Sequence, residues 1–305
     1  MRKAWLLGLA VLTVTGCGAP PAEEEAPQET AAVVDAPPIS VYVGSYPLKY
    51  FAQRIGEERV EVGFPVPEGV DPASWTPEPE VVLEYQEADL ILLNGAEYES
   101  WTQAATLPAT RVVDTSARFT EDIIYVEDAL THSHGPEGEH THGETASVTW
   151  LDFQLAAQQA EAVLEALAAQ EPESEERFRE RFAELQGELA ELHAAFQGVG
   201  DGQTVMAATP SYEYLSRAYG VDVIGLRFDP SQPDSHDFWH EVEHALADGA
   251  ERVMLWEWEP PAEARERLEA MEIEAVLFDP AGWEPEQGDF LSVMRSNLER
   301  LEGAL

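Results

Sequence analysis

Residues 41–64 read VYVGSYPLKYFAQRIGEERVEVGF. Val41-Tyr42-Val43 has the β-branched and aromatic character of a strand. A helical pattern follows through Tyr50 to Ile55, entered from Pro47, and Val60 to Phe64 forms a second short apolar run. Strand, helix, strand within two dozen residues is the unit from which parallel sheets are built, because a parallel partner needs a crossover.

The alternation continues outward. Pro79 to Glu87 reads as a helix, Asp89-Leu90-Ile91-Leu92-Leu93 as a buried strand and Arg111-Val112-Val113-Asp114 as a fourth strand. A helical region runs from Leu151 to Phe196 and breaks around Glu171-Pro172. Its second part carries apolar residues at heptad-like spacing (Phe178, Phe182, Leu185, Leu189, Leu192) among many Glu/Arg pairs. Alternation then restarts, with strands expected at Val205-Met206-Ala207, Val221 to Gly225, Arg252 to Leu255 and Glu274 to Phe278. The halves echo one another: Tyr50-Phe51-Ala52-Gln53-Arg54-Ile55-Gly56 aligns with Tyr214-Leu215-Ser216-Arg217-Ala218-Tyr219-Gly220. Pro47 and Pro210 precede the respective helices. The expected fold is α/β. Two β/α lobes, each with a four-stranded mainly parallel sheet, are joined by a long linking helix, and a ligand cleft lies between them.

The expected boundaries follow. Residues 1–16 read as a signal peptide, with Arg2 and Lys3 ahead of the apolar stretch Ala4 to Val14, which is shorter than a membrane span. Val14-Thr15-Gly16-Cys17 resembles the bacterial lipobox, and Cys17 is the only cysteine in the chain. The mature protein then has no disulfide and no thiol chemistry, and a lipid on Cys17 holds it at a membrane facing the periplasm or cell exterior. Residues 17–38, rich in Pro, Ala and Glu, read as a lipidated disordered tether. The first lobe spans 39–150 and includes a His-rich loop at 131–143. The helical region spans 151–202, and the second lobe spans 203–305.

The formal net charge is −42, from 59 acidic and 17 basic residues. Such a surface repels nucleic acid and anionic lipid. The acids are spread over the whole chain, a distribution suited to saline surroundings, where screening weakens self-repulsion. A negative field also attracts cations.

Several motifs, in order, resemble the zinc and manganese solute-binding proteins of ABC importers. They are Ser45-Tyr46-Pro47-Leu48-Lys49-Tyr50-Phe51-Ala52, Val66-Pro67-Glu68-Gly69-Val70-Asp71-Pro72, Ala88-Asp89-Leu90-Ile91, Asn94-Gly95-Ala96, Trp150-Leu151-Asp152 and Arg217-Ala218-Tyr219-Gly220. The resemblance implies a buried metal between the lobes, no enzymatic activity, a monomer, and an ABC permease of the same membrane as partner. It also implies a His after Asp71-Pro72, a His two residues before Trp150, a His or Glu ahead of the second-lobe helix, and an acid in Phe278-Asp279-Pro280. Here those positions hold Ala73, Val148, Thr209 and Asp279. One carboxylate does not make a zinc site, which needs about four N, S or O donors.

Other donors are available. His132, His134, His140 and His142 form two His-x-His pairs within Thr131 to Gly143. In extended chain, residues two apart point to the same side, so each pair presents two imidazoles together. Many zinc-binding proteins of the resembled family carry a His-rich loop at about this point, so the resemblance implies Zn²⁺ ahead of Mn²⁺. Asp279 is the expected cleft ligand, with Glu257, Glu259 and Thr209 as further cleft candidates and Trp75 and Trp150 filling space beside the altered positions. His193 is expected to pack on the long helix. Two alternatives stay open. One is a retained fold whose lost metal site binds another ligand or acts as an interaction module. The other is a zinc peptidase built on His240-Glu241-Val242-Glu243-His244, which matches His-Glu-x-x-His, with His236 close enough to join a surface metal site.

Overall fold

The computed structural model describes residues 37–126 and 144–305. Cys17 and the four histidines His132, His134, His140 and His142 lie outside them. The first lobe is built from β1 (Ile39–Val43), α1 (Tyr46–Gly56), β2 (Val60–Gly63), α2 (Pro79–Glu87), β3 (Leu90–Leu93) and β4 (Val112–Asp114). A small antiparallel hairpin, β5 (Tyr125–Val126) and β6 (Glu144–Thr145), follows. Next come α3 (Phe153–Gln170), a short 3₁₀ turn at Pro172–Ser174, and α4 (Glu175–Phe196). The second lobe contains β7 (Thr204–Ala207), α5 (Glu213–Tyr219), β8 (Asp222–Gly225), α6 (His236–Ala247), β9 (Val253–Trp256), α7 (Ala262–Ala270), β10 (Glu274–Leu277) and α8 (Phe290–Ala304).

Both large sheets are parallel throughout. Their orders, β2-β1-β3-β4 and β10-β9-β7-β8, are the same arrangement counted from opposite edges. The first strand of each lobe is central, and its helix crosses over to the second strand on the edge. The sequence echo between α1 and α5 therefore marks equivalent helices of two like lobes. Side chains alternate faces along a strand, and Ile39, Val41 and Val43 of β1 are all buried on one side.

The linking helix is α4. Phe178, Phe182, Leu185, Leu189, Leu192 and Phe196 are buried along one stripe. α4 packs against α3 and α1 on the first-lobe side and against α8 on the other. One apolar core consequently runs from Val41 and Phe51 through this stripe to Leu255 and Phe290. Full burial of each such side chain is worth roughly 1.5–3 kcal/mol. The outer face of each sheet has its own smaller core: Trp75, Tyr85, Ile91 and Trp101 in the first lobe, and Met206, Trp239, Trp256 and Leu268 in the second. Trp75 thus belongs to this outer core and, unlike Trp150, does not line the space beside the altered positions. Helix starts are fixed locally: Asp152 accepts from the Gln154 N–H at 2.9 Å, and Asp289 with Ser292 forms a reciprocal capping box at α8. Among the described residues, no helix is long and apolar enough to cross a membrane.

Candidate functional site

In a parallel sheet ordered this way, neighbouring crossovers leave from the carboxyl ends of the two central strands in opposite directions, and a crevice opens there. In the second lobe that place lies between the ends of β7 and β9. Thr209 follows β7 and Glu257 follows β9, and the Thr209 hydroxyl donates to Glu257 Oε1 at 2.5 Å. The equivalent place in the first lobe lies between the ends of β1 and β3. There Glu99 accepts from the Asn94 and Gly95 N–H groups at 2.7 and 3.3 Å. Its carboxylate lies so close to Gly44 that a Cβ there would sit 2.0 Å from Oε1. Each lobe therefore places one glutamate at its switch point. Glu99 is buried within its lobe, while Glu257 faces the space between lobes.

That space is a cavity of about 490 Å³. Asp71, Ala73, Tyr98 and Val148 line it from the first-lobe side, and Thr209, Ser211, Glu213, Arg227 and Glu257 from the second. Three indoles, Trp150, Trp258 and Trp283, complete the walls. Two of them also tie the lobes together. Trp150 Nε1 donates to the Pro280 carbonyl and Trp283 Nε1 to the Val70 carbonyl, each at 2.6 Å.

Three carboxylates, Asp71, Glu213 and Glu257, face one guanidinium, Arg227. Burial pushes the Glu257 carboxyl above its usual range. Its hydrogen bonds from Ser211 and Thr209 pull it back, and the charges of Asp71 and Asp279 push it up again. Glu213 is raised by burial too, and Arg227 offsets part of that. A bound cation would relieve both effects, and an anion would aggravate them.

The positions singled out in the sequence divide in the structure. Ala73, Val148 and Thr209 do converge on this one cavity. Of these only Thr209 carries a donor oxygen. Glu257 lines the cavity beside it. Glu259 does not: it is exposed and pairs with Arg265 at 3.3 Å. Asp279 lines a separate depression beside α8, with Ser292 and Arg300, and its Oδ1 accepts from the Ala281 N–H at 2.7 Å. Burial raises the Asp279 carboxyl, and the Ala281 bond and Arg300 lower it. His193 packs as expected, with Nδ1 at 3.2 Å from the Tyr219 hydroxyl. His240 and His244 lie on the exposed outer face of α6, away from the cleft. Among the described residues, no group of three or more His, Cys, Asp or Glu is arranged to hold one metal ion. The sequence reading missed Asp71, Glu213 and Arg227. Asp71 was legible in principle, since it belongs to the Asp71-Pro72 motif.

The described residues that flank 127–143 lie at this cavity. Val126 of β5 and Thr145 of β6 both line it, and Val126 pairs with Glu144 across the hairpin. The chain carrying the four histidines therefore leaves and re-enters the described structure at the cleft wall.

Two like lobes meeting at a negatively charged cleft define a solute-binding protein. The family model described as zinc-uptake complex component A, periplasmic, matches residues 41–304, and the chain belongs to this family of ABC-importer receptors. The high-affinity zinc uptake system protein ZnuA of Bacillus subtilis is 24% identical over 284 residues, covering 85% of each chain. The manganese-binding lipoprotein MntA of Halalkalibacterium halodurans is 23% identical over 228 residues, covering 73% of this chain and 69% of its own. Among solved structures, the metal-dependent lipoprotein YcdH from Bacillus subtilis has a TM-score of 0.72 at 18% identity, covering 88% of this chain and 99% of its own. The periplasmic zinc binding protein TroA from Treponema pallidum has a TM-score of 0.70 at 20% identity with the same coverage.

Proposed function

We propose that this chain is the extracytoplasmic receptor of an ABC importer, anchored by a lipid on Cys17, and that it captures a divalent transition metal, zinc ahead of manganese. The observation that supports this most directly is that Val126 and Thr145, on either side of the stretch holding His132, His134, His140 and His142, both line the cleft. Imidazoles from that segment supply the nitrogen donors that Ala73 and Val148 do not, and Glu257, with the Thr209 hydroxyl behind it, supplies an oxygen. Borderline ions such as zinc favour imidazole, whereas manganese leans toward oxygen donors. Asp279, the acid of the Phe278-Asp279-Pro280 motif, is the further candidate ligand, and its charge helps to raise the Glu257 carboxyl. The partner is a permease of the same membrane, met by a monomer, and the activity is capture and not catalysis. The His-Glu-x-x-His segment lies outside the cleft, in keeping with that.

The test is a zinc titration of the dialysed mature protein against a competing chelator. A dissociation constant no tighter than about 1 mM, near 4 kcal/mol, would remove the proposal.

One observation favours a second reading. No imidazole lines the cavity among the described residues, and three indoles do. A cleft of that character suits an organic cation held on aromatic faces. Native mass spectrometry of protein taken directly from its host separates the two: stoichiometric zinc supports the first, and an organic mass supports the second.

A further inference from the structure

The outer face of α6 carries His236, His240 and His244, spaced one helical turn apart and all exposed. Their rings form a ladder. His240 and His244 have centroids 4.5 Å apart, and His236 and His240 have centroids 5.8 Å apart. Two imidazoles bound through one nitrogen each to a common ion, at about 2.0–2.1 Å, bring their ring centres to roughly 4.5–5.2 Å of each other for tetrahedral or octahedral angles. The His240–His244 pair stands at that separation with its ring planes at 71°, and the His236–His240 pair lies just beyond it.

From this geometry we infer a second metal site on the surface of the second lobe, a two-imidazole chelate on α6 that takes borderline divalent ions such as Zn²⁺. His240 is the shared member and pairs with His244 or with His236, one ion at a time. Water completes the coordination, consistent with the absence of a three-residue ligand group among the described residues. The site goes beyond the cleft reading and does not depend on it.

The helix is held firmly enough to preorganise the pair. Its opposite face buries Phe238, Trp239, Val242 and Ala245. Trp239 Nε1 donates to the Pro233 carbonyl at 2.8 Å, and the Arg267 guanidinium lies 4.6 Å from the centre of the Trp239 ring. Ser235 caps the first turn. Little freedom is therefore lost when an ion binds. His240, Glu243, His244 and Ala247 line one shallow depression. The small Ala247 leaves room at the next turn, and the Glu243 carboxylate adds negative potential beside the nitrogens. Imidazole nitrogen binds Zn²⁺ more tightly than Mn²⁺, which prefers oxygen donors, so the pair favours Zn²⁺. Glu241, the base of the peptidase alternative, is not part of this depression.

The experiment is histidine footprinting of the full mature chain with diethyl pyrocarbonate, read residue by residue by peptide mass spectrometry. Such a readout separates α6 from the histidines at 132–142. Zinc is expected to protect His240 and His244 but not His193, and an equal concentration of manganese is expected to protect neither. His240→Gln should raise the zinc needed to protect His244 at least tenfold. His236→Gln should leave His244 protection unchanged. The inference is overturned if His240 and His244 are modified equally with and without zinc, if manganese protects them as zinc does, or if His244 protection survives His240→Gln. All three histidines are exposed, so these substitutions leave the fold intact, and a circular dichroism spectrum matching the parent confirms it.

Discussion

The Trp283 indole, in the loop before α8, donates to the carbonyl of Val70 in the loop after β2 at 2.6 Å, across 213 residues of sequence. With the Trp150–Pro280 bond, it fastens the second lobe to the first at the wall of the cleft. The neighbouring Lys49–Glu284 ion pair, 2.5 Å long, spans the same gap. Glu284 is more than half exposed, so that pair adds little in solution. Trp283→Phe keeps an aromatic ring but removes the donor together with the five-membered half of the indole. It should loosen the lobes by about 1 kcal/mol, about fivefold in affinity for whatever the cleft holds. Hydrogen exchange in residues 65–76 should quicken in the variant. Unchanged exchange there would show that the bond does not hold the lobes.

Glu99 gives the fold a definite pH dependence. Burial raises its carboxyl from 4.5 to about 7, against the pull of the Asn94 and Gly95 N–H groups. Between those two values the folded protein keeps a proton that the unfolded chain has lost. Stability is therefore fully present below about pH 4.5 and declines as pH rises through 7. The loss amounts to roughly 3 kcal/mol at completion. Glu213, Glu257 and Asp279 are shifted the same way, so the decline is shared. Glu99→Gln should flatten part of it. Thermal midpoints of parent and variant at pH 5, 6, 7 and 8 decide the matter, and parallel curves would remove Glu99 from the explanation.

How much of this was legible in the sequence follows from what each signal depends on. Strand and helix positions depend on local periodicity, and the eight strands of the two large sheets fall where the apolar runs place them. The repeat of topology was legible because α1 and α5 pack into equivalent slots and keep similar residues. The cleft positions Ala73, Val148 and Thr209 were legible only through the family resemblance. Side-chain direction at a strand end was not. Glu257 and Glu259 stand two residues apart just past β9, where period-2 alternation no longer holds, and only Glu257 turns into the cavity. Asp279 shows the same limit. Its carboxylate is drawn to the Ala281 N–H and toward α8, a local turn that the Phe278-Asp279-Pro280 motif does not encode.

Glu257 can be tested apart from the fold. Glu257→Gln keeps an oxygen for the Thr209 hydroxyl but removes the charge. Because burial already disfavours the ionised form, the neutral amide should leave the thermal midpoint at pH 7.5 unchanged or higher. Cation affinity should fall at least tenfold, about 1.4 kcal/mol. Calorimetry of zinc binding beside a melting curve separates the two effects. A variant that loses stability and affinity together would mean that Glu257 supports the lobe and does not serve the ligand.

The role of the four histidines at 132–142 is open to a deletion that the hairpin makes feasible. Val126 and Glu144 are partners across β5 and β6, and Tyr125 pairs with Thr145. The chain ends flanking the segment are thus already adjacent, and a short Asn-Gly turn can replace residues 127–143 without straining either strand. The described lobes should remain folded, because their shared core runs through α4. If the segment supplies the nitrogen donors of the cleft, the shortened protein should lose high-affinity zinc by a hundredfold or more, about 2.7 kcal/mol. If the segment only collects ions and passes them inward, affinity should hold while the rate of zinc uptake by the protein falls. Stopped-flow mixing with a fluorescent zinc indicator, alongside the equilibrium titration, tells a ligand set from an antenna. No change in either quantity would leave the cleft's own oxygen donors, Glu257 foremost, as the whole of the site.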